Sequence, residues 1–139
     1  MRTAIVAKVV CSSALLACQA LAHHSVAMFD QQQEIAIDGV VKELELVSPH
    51  SWLHITVTTE SGREVDWSFE MQALSRLESQ GFSADLVKPG EPVTVFARPL
   101  KDGSRGGQFR AVKFADGREF RFAPRPAGRN SPGGGANSQ

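Results

Sequence analysis

The fold is decided by residues 34–59, which read EIAIDGVVKELELVSPHSWLHITVTT. Apolar residues alternate with polar ones on both sides of Gly39, but they change parity there: Ile35 and Ile37 come before it, and Val40, Leu44 and Leu46 come after it. A change of phase at a glycine is typical of a bulge or a sharp coil within one long strand. We therefore predict a single bent strand over residues 34–47. Pro49 ends it, because proline cannot donate to a ladder.

The same alternation continues beyond the proline. Leu53, Ile55 and Val57 mark one face of a second strand, and Val65, Trp67 and Phe69 mark one face of a third. The predicted elements after the first strand are, in order, a strand at residues 51–59, a turn at 60–63, a strand at 64–70, a helix at 71–79 stopped by Gly81, a strand at 92–100, a polar loop at 101–108, a strand at 109–115, and an Asp116-Gly117 hairpin to a last strand at 118–122.

The order strand, strand, strand, helix, strand, strand, with a coiled first strand, is that of the OB-fold, a small Greek-key barrel. We therefore predict an all-β, OB-like antiparallel barrel of five to six strands, with one helix between strands three and four. A plain antiparallel meander with a helix on one face is the alternative. Ligands of OB-folds usually meet strands two and three and two flanking loops, which here are residues 48–51 and 101–108.

The first 22 residues have the pattern of an export signal. A basic start, a mostly apolar run and the small-x-small triplet Ala20-Leu21-Ala22 predict cleavage after Ala22. The predicted parts are a signal peptide (residues 1–22), one barrel domain with an N-terminal arm (23–122) and a disordered tail (123–139). The expected location is the periplasm or the exterior, and the apolar run is too short for a transmembrane anchor.

A second interpretation of the leader is lipidation. Leu15-Leu16-Ala17-Cys18 loosely resembles a lipoprotein-processing box, which would anchor the protein through Cys18. Both cysteines, Cys11 and Cys18, lie in the leader, so a chain cut after Ala22 has no disulfide.

The chain expected after export is acidic. Between residues 23 and 117 there are 14 acidic and 9 basic side chains, whereas residues 118–139 carry four arginines and Glu119. Binding to a phosphate backbone needs a basic face. We therefore expect no nucleic-acid partner.

Several different short motifs lie along the chain in this order: His23-His24-Ser25, Phe29-Asp30, Gly39-Val40-Val41, Pro49-His50-Ser51-Trp52, Trp67-Ser68-Phe69-Glu70, Lys88-Pro89-Gly90 and Pro99-Leu100-Lys101-Asp102-Gly103. In their order and spacing they resemble the small exported bacterial proteins grouped as domain-of-unknown-function family 6152. The resemblance spans residues 23–118. It implies a periplasmic or secreted single-domain β-barrel, and it implies no established activity.

The chain departs from the pattern of that family at two places. It has Ser48 where asparagine is usual, which alters the hydrogen bonding beside His50. It also runs directly through Glu70-Met71-Gln72-Ala73 where the family has a segment containing Gly, Pro or Asn. The second departure weakens the case for a site built from that connection.

Metal binding is the most specific hypothesis that the residues support. Cleavage after Ala22 would leave the α-amine of His23 beside its own imidazole, with His24 next to it, and these nitrogens suit Cu(II). The arrangement resembles the histidine brace of exported copper proteins. We predict a site for copper or another transition metal formed by His23, His24, His50 and His54. In the alternative interpretation the first two histidines are solvated, His50 caps a turn and His54 pairs on a sheet face.

A ligand-binding face is the second hypothesis. Trp52 and His54 project from the same side of the second strand, which OB-folds offer to saccharides, peptides or other small organic ligands. Lys101 and Arg105, in the adjoining loop, could hold an anion. The alternative is that Trp52 merely covers one end of the barrel.

No catalytic residue is predicted. Glu64, Asp66, Ser68 and Glu70 align on one face of the third strand, but a water-exposed face of a strand gives the same pattern. The sequence has no Gly-rich phosphate loop, nucleophile elbow or zinc-binding helix motif. We expect a non-enzymatic binding or accessory protein, with a hydrolase or redox role as the alternative.

Overall fold

The computed structural model describes residues 26–123. Several predictions lie outside the described residues: the signal peptide, the two cysteines, His23, His24 and the tail beyond Ala123. Within the described part the elements are β1 (Ile35–Glu45), β2 (Trp52–Thr58), β3 (Glu64–Glu70), helix α1 (Leu74–Glu78), a 3-10 turn (Ala84–Leu86), β4 (Pro92–Pro99), β5 (Gly106–Phe114) and β6 (Glu119–Arg121).

Five of the strands close into a barrel. The hydrogen-bonded order is β3-β2-β1-β4-β5, and β3 also pairs in parallel with the start of β5, which joins the two ends of the sheet. Strand β6 lies beside the far half of β5 as an added hairpin strand. This is the OB-like order predicted from the sequence, and the alternative of an open meander is wrong because β3 and β5 are joined.

Strand β1 belongs to both halves of the barrel. Its first half pairs with β4 and its second half pairs with β2, and a bulge lies between Val41 and Glu43. The bend was predicted, but its position differs. Val40 is exposed and Val41 is 2% exposed, so the odd-numbered residues of β1 still face inward after Gly39. The change of phase comes at the bulge after Val41. Gly39 does not cause the change of phase. It lets β1 approach the backbone of β2 closely, since a Cβ at this position would lie 2.7 Å from the Thr56 carbonyl oxygen.

The core fills the barrel and extends under the helix. Leu53, Ile55 and Phe69 are fully buried, as the alternation in β2 and β3 predicted. Helix α1 is shorter than predicted, because residues 71–73 are not helical and Met71 instead donates its backbone N–H to Ser51. Gly81, at φ +85°, ends it as expected, and Phe82 N–H bonds back to the Leu77 carbonyl. No helix within residues 26–123 has the length and apolar character to span a bilayer.

Two glycines permit the closure of the barrel. Residues 106–108 were predicted to be loop, but they form the first residues of β5, where they pair with β3. A Cβ on Gly106 would lie 2.5 Å from the Ser68 carbonyl oxygen, and one on Gly107 would lie 2.4 Å from the Arg98 carbonyl oxygen. Only the absence of a side chain lets three strands approach so closely here.

The N-terminal arm is fixed to the end of β4. Phe29 is 2% exposed and forms a bridge with Leu100. On either side of it, Asp30 N–H donates to the Pro99 carbonyl (2.9 Å) and Lys101 N–H donates to the Met28 carbonyl (3.0 Å). The arm is therefore part of the barrel surface from Met28 onward.

We expect Gly106→Ala to lower the free energy of unfolding by about 3 kcal/mol, because the added methyl group meets a backbone carbonyl that cannot turn aside. Gly62→Ala is the matched control. Gly62 has φ +78° and open space around it, so that alanine costs only about 1 kcal/mol from its left-handed backbone. Urea denaturation of both variants measures the difference. Equal destabilisation would contradict the role of Gly106 in closure.

Candidate functional site

The loop between β1 and β2 is organised by Ser51, which is fully buried. Its hydroxyl donates to the Val47 carbonyl (3.0 Å) and accepts from the Val47 N–H (3.2 Å), so one side chain closes residues 47–51 of this loop. The Ser48-Pro49 peptide bond within it is cis. The two hydrogen bonds of the Ser51 hydroxyl make the loop compact and place His50 directly before the buried Ser51.

The backbone of Ser51 joins this loop to the segment after β3. Met71 N–H donates to the Ser51 carbonyl (2.8 Å), and Ser51 N–H donates to the Gln72 carbonyl (3.3 Å). The loop is therefore held against the Glu70-Met71-Gln72 segment. His50 lies at the junction of the two segments.

His50 contacts a carboxylate. Its Nδ1 atom is enclosed by protein and lies 2.5 Å from Glu70 Oε1, a separation that leaves no room for water, although the ring N–H is not in line for a hydrogen bond. The His50 side chain as a whole is 43% exposed, whereas that of Glu70 is 12% exposed. The imidazole therefore has one edge against the protein and one edge towards solvent.

His54 lies on the outer face of β2, at the centre of a row of polar side chains. Its Nδ1 atom is 2.8 Å from Ser68 Oγ on β3, and its Nε2 atom is 3.5 Å from Glu45 Oε1 on β1. Trp52 stacks alongside, with ring centroids 6.3 Å apart and planes within 12°. Trp52 and His54 thus share one half-buried face, and both nitrogens of His54 already have protein neighbours.

The Ser68, His54 and Glu45 contacts have the order of a nucleophile, a base and an orienting acid. A hydrolase also needs donors for the oxyanion that forms during attack. The backbone N–H of Ser68 instead donates to the Arg105 carbonyl (3.3 Å). The contacts are therefore better explained as the polar pairing of three neighbouring strands.

A charged pair continues this face towards the other end of the hairpin. Lys42 Nζ lies 2.5 Å from Asp66 Oδ2, and Thr56 donates to the other oxygen of Asp66 (3.2 Å). The hydrogen bond from Lys42 lowers the pKa of the Asp66 carboxyl below its usual value. The same bond raises the pKa of the Lys42 ammonium. Both groups are solvent-exposed, so they shape the surface rather than stabilise the core.

The loop between β4 and β5 borders this face, as the OB-like order predicted. Its backbone is bonded to β3 through Arg105 and to the arm through Lys101. Both side chains are exposed. No hydrogen bond or ion pair among residues 26–123 joins either of them to Trp52 or His54, so their role in holding an anion stays a prediction.

The predicted metal ligands are only partly described. His23 and His24 lie outside the described residues. His50 and His54 occupy different surroundings, one in the loop and one on the strand. Within residues 26–123 no group of three or more His, Cys, Asp or Glu side chains is arranged to hold a metal ion. A site with three such side chains therefore needs at least one from outside residues 26–123.

Sequence reasoning missed the carboxylate and hydroxyl partners of these histidines, namely Glu45, Ser68 and Glu70. A signal for two of them was present. Thr59 pairs with Arg63 across the turn, and counting back from that pair places His54 opposite Ser68 and Trp52 opposite Glu70. Glu45 could not be found in this way, because the bulge in β1 shifts its register with β2.

The comparison with protein families agrees with the motifs noted in the sequence. The model of a family described as a family of unknown function, DUF6152, matches residues 10–110. The chain belongs to this family. No curated protein and no solved structure gives a significant match. The membership of DUF6152 confirms the resemblance, and the function of this member has to be argued from its own side chains.

In this DUF6152 protein we expect Ser51→Ala to lower the free energy of unfolding by about 1–2 kcal/mol, since the buried Ser51 hydroxyl makes two hydrogen bonds to the backbone of the exposed Val47. Ser61→Ala is the matched control, because Ser61 lies on an exposed turn and should change stability by no more than about 0.5 kcal/mol. Chemical denaturation measures both. Similar values for the two variants would contradict the organising role of Ser51.

Proposed function

We propose that this is an exported, non-enzymatic binding protein that holds Cu(II), or a similar transition-metal ion, between its mature N-terminus and His50. The observation that carries the proposal is the contact of His50 Nδ1 with Glu70 Oε1 at 2.5 Å. Histidines that ligate metals almost always place their other ring nitrogen against a carboxylate, a carbonyl or water, which fixes the ring. His50 places Nδ1 against the Glu70 carboxylate without an aligned hydrogen bond, so it shares the proximity to a carboxylate and leaves Nε2 as the nitrogen for a metal.

The second support is the position of the arm. Val26 and Gln72 line the same cleft, and the Gln72 carbonyl accepts the N–H of Ser51, the neighbour of His50. The start of the described arm is therefore at the same end of the barrel as the His50 loop. A chain spans at most about 3.5 Å per residue, which limits His24 and His23 to about 7 Å and about 10 Å from Val26.

The chemistry of the ligands favours copper. A free amine and imidazole at His23, with the imidazole of His24, would supply nitrogen ligands of the type that Cu(II) prefers. His50 would add one more nitrogen from the barrel. His54 is less suited than the sequence suggested, because its two ring nitrogens face Ser68 and Glu45. In this proposal His54 belongs to the neighbouring face and not to the innermost ligands.

The test is Cu(II) titration of protein that starts at His23, followed by visible absorption and electron paramagnetic resonance. We expect a d–d band and nitrogen hyperfine structure. His50→Gln, and a form extended by one residue before His23, should each weaken binding by tenfold or more. His54→Gln is the matched control and should bind as the wild type does. Undiminished binding by the first two forms would contradict the proposal, and a mass spectrum of the exported protein checks its first residue.

A second candidate function is supported by a separate observation. Trp52 and His54 stack on the outer face of β2, and the backbone bond from Ser68 to Arg105 brings the β4–β5 loop to the edge of that face. This is where OB-folds bind ligands. The face carries the carboxylates of Glu43, Glu45 and Asp66, so a neutral saccharide or a peptide suits it better than a nucleic acid.

To test this second function, a panel of oligosaccharides and short peptides is titrated against the protein. We expect at least one compound to change the fluorescence of Trp52. The other tryptophan, Trp67, packs against the core and serves as an internal reference. The response should disappear in Trp52→Phe and weaken in His54→Ala. A response that persists in Trp52→Phe, or no response to any compound, would argue against binding at this face.

A further inference from the structure

Three arginines and three glutamines line one cleft on the outside of the barrel. The cleft lies between the arm, the segment after β3, and strands β4 and β5, and it has a volume of about 530 Å³. Its polar lining residues are Gln31, Gln72, Arg76, Arg98, Gln108 and Arg110. No carboxylate is among the residues that line it. In a chain whose barrel region has more acidic than basic side chains, this concentration of positive charge is local.

The three guanidinium groups are not neutralised by neighbours. Within residues 26–123 none of them forms an ion pair. Glu34, which is close enough to influence Arg110, has its carboxylate on Arg121 at 3.5 Å. Glu70, which is adjacent to Gln108 across the β3–β5 pairing, contacts His50. The described carboxylates therefore form no ion pair with the three arginines, and Glu34 offsets the charge of Arg110 only in part.

Holding these charges together is unfavourable for the protein. Burial, followed by the like charge of Arg98, lowers the pKa of the Arg110 guanidinium, and Glu34 only partly opposes this. Arg98 is also held in place, because its Nη1 donates to Gln31 Oε1. A ligand of the opposite charge would relieve this repulsion, and groups perturbed in this way cluster at functional sites.

One wall of the cleft is apolar. Phe109 and Phe122 are 4% and 8% exposed, and the Arg76 guanidinium lies over the Phe122 ring at 5.8 Å from its centroid. Val26 adds an exposed apolar side chain at the edge. Because the two rings are nearly buried, an organic molecule would gain mainly from contact with the exposed Val26 side chain, whereas a fully hydrated inorganic ion gains nothing there.

We propose that this cleft binds a small organic anion, a molecule with a carboxylate or phosphate group beside an apolar part. The guanidinium forks of Arg98 and Arg110 hold the anionic oxygens, since a planar fork can give two parallel hydrogen bonds to such a group. The side-chain amides of Gln72 and Gln108 provide further donors. The volume suits a molecule of this size, since ligand pockets commonly measure about 300–1,000 Å³.

This proposal rests on none of the proposed metal ligands, and His50 is not among the described residues that line the cleft. The cleft also differs from the binding face on β2, which is rich in carboxylates. The two sites would select ligands of different charge, and each can fail without the other.

The experiment is calorimetric titration of the metal-free protein at low salt with four probes. Phenyl phosphate and benzoate carry both an anionic group and a ring, inorganic phosphate carries only the anion, and benzyl alcohol carries only the ring. We expect saturable binding of phenyl phosphate or benzoate, weaker binding of inorganic phosphate and none of benzyl alcohol. The bound anion should also raise the melting temperature, since a ligand that binds only the folded state stabilises it.

Arg110→Gln and Arg98→Gln should each weaken binding by about tenfold or more, because each removes a charge-assisted contact. Arg110→Gln should keep or raise the melting temperature, since it removes a partly buried charge beside Arg98, so its loss of binding would not be a loss of folding. Arg63→Gln is the matched control, an equal change of charge on the exposed β2–β3 turn, and should alter affinity less than twofold.

Three outcomes would overturn the proposal. One is the absence of saturable binding by both phenyl phosphate and benzoate. Another is an equal loss of affinity in Arg63→Gln and Arg110→Gln, which would indicate general attraction to positive charge. The third is equal affinity for inorganic phosphate and phenyl phosphate, which would show that the apolar wall does not contribute to ligand binding.

Discussion

The rest of the structure depends on a short parallel contact between β3 and the first three residues of β5. This contact turns a sheet with two free edges into a closed barrel. It requires that the backbones of three strands approach closely, and Gly106 and Gly107 permit this because neither has a Cβ. Without it, the β4–β5 loop would not border the face of β2, and the arm would not share an end of the barrel with His50.

Much of the barrel could be predicted because three of its antiparallel pairs, β1–β2, β2–β3 and β4–β5, join strands that follow one another in sequence. Alternation in β2 and β3 identified Leu53, Ile55 and Phe69 as core, and the turn between them restricts their register. The closing contact could not be predicted in this way. It joins β3 and β5, more than thirty residues apart, through glycines that carry no hydrophobic pattern. A run of Gly-Gly therefore resembles a loop even where it is the most constrained backbone of the fold.

The candidate site was predictable to a similar degree. The Pro-His-Ser-Trp stretch was correctly placed at the β1–β2 turn, since proline ends a strand and Trp52 resumes the alternation. The partner of His50 was missed, although the register of the hairpin places Glu70 beside Trp52. The arginine cleft was beyond prediction, because its side chains come from the arm, the segment around α1 and two strands. Such residues become neighbours only once the barrel is closed.

The two proposed sites meet at Gln72, and this has a physical consequence. Gln72 lines the arginine cleft, and its backbone carbonyl accepts a hydrogen bond from the N–H of Ser51, which follows His50 in the chain. An anion in the cleft would offset the charges of Arg98 and Arg110 and would lower the positive potential near the His50 end. A cation at His50 would then bind more favourably, since the two opposite charges attract. Thermodynamic linkage makes the effect reciprocal, so bound metal would strengthen anion binding by the same factor.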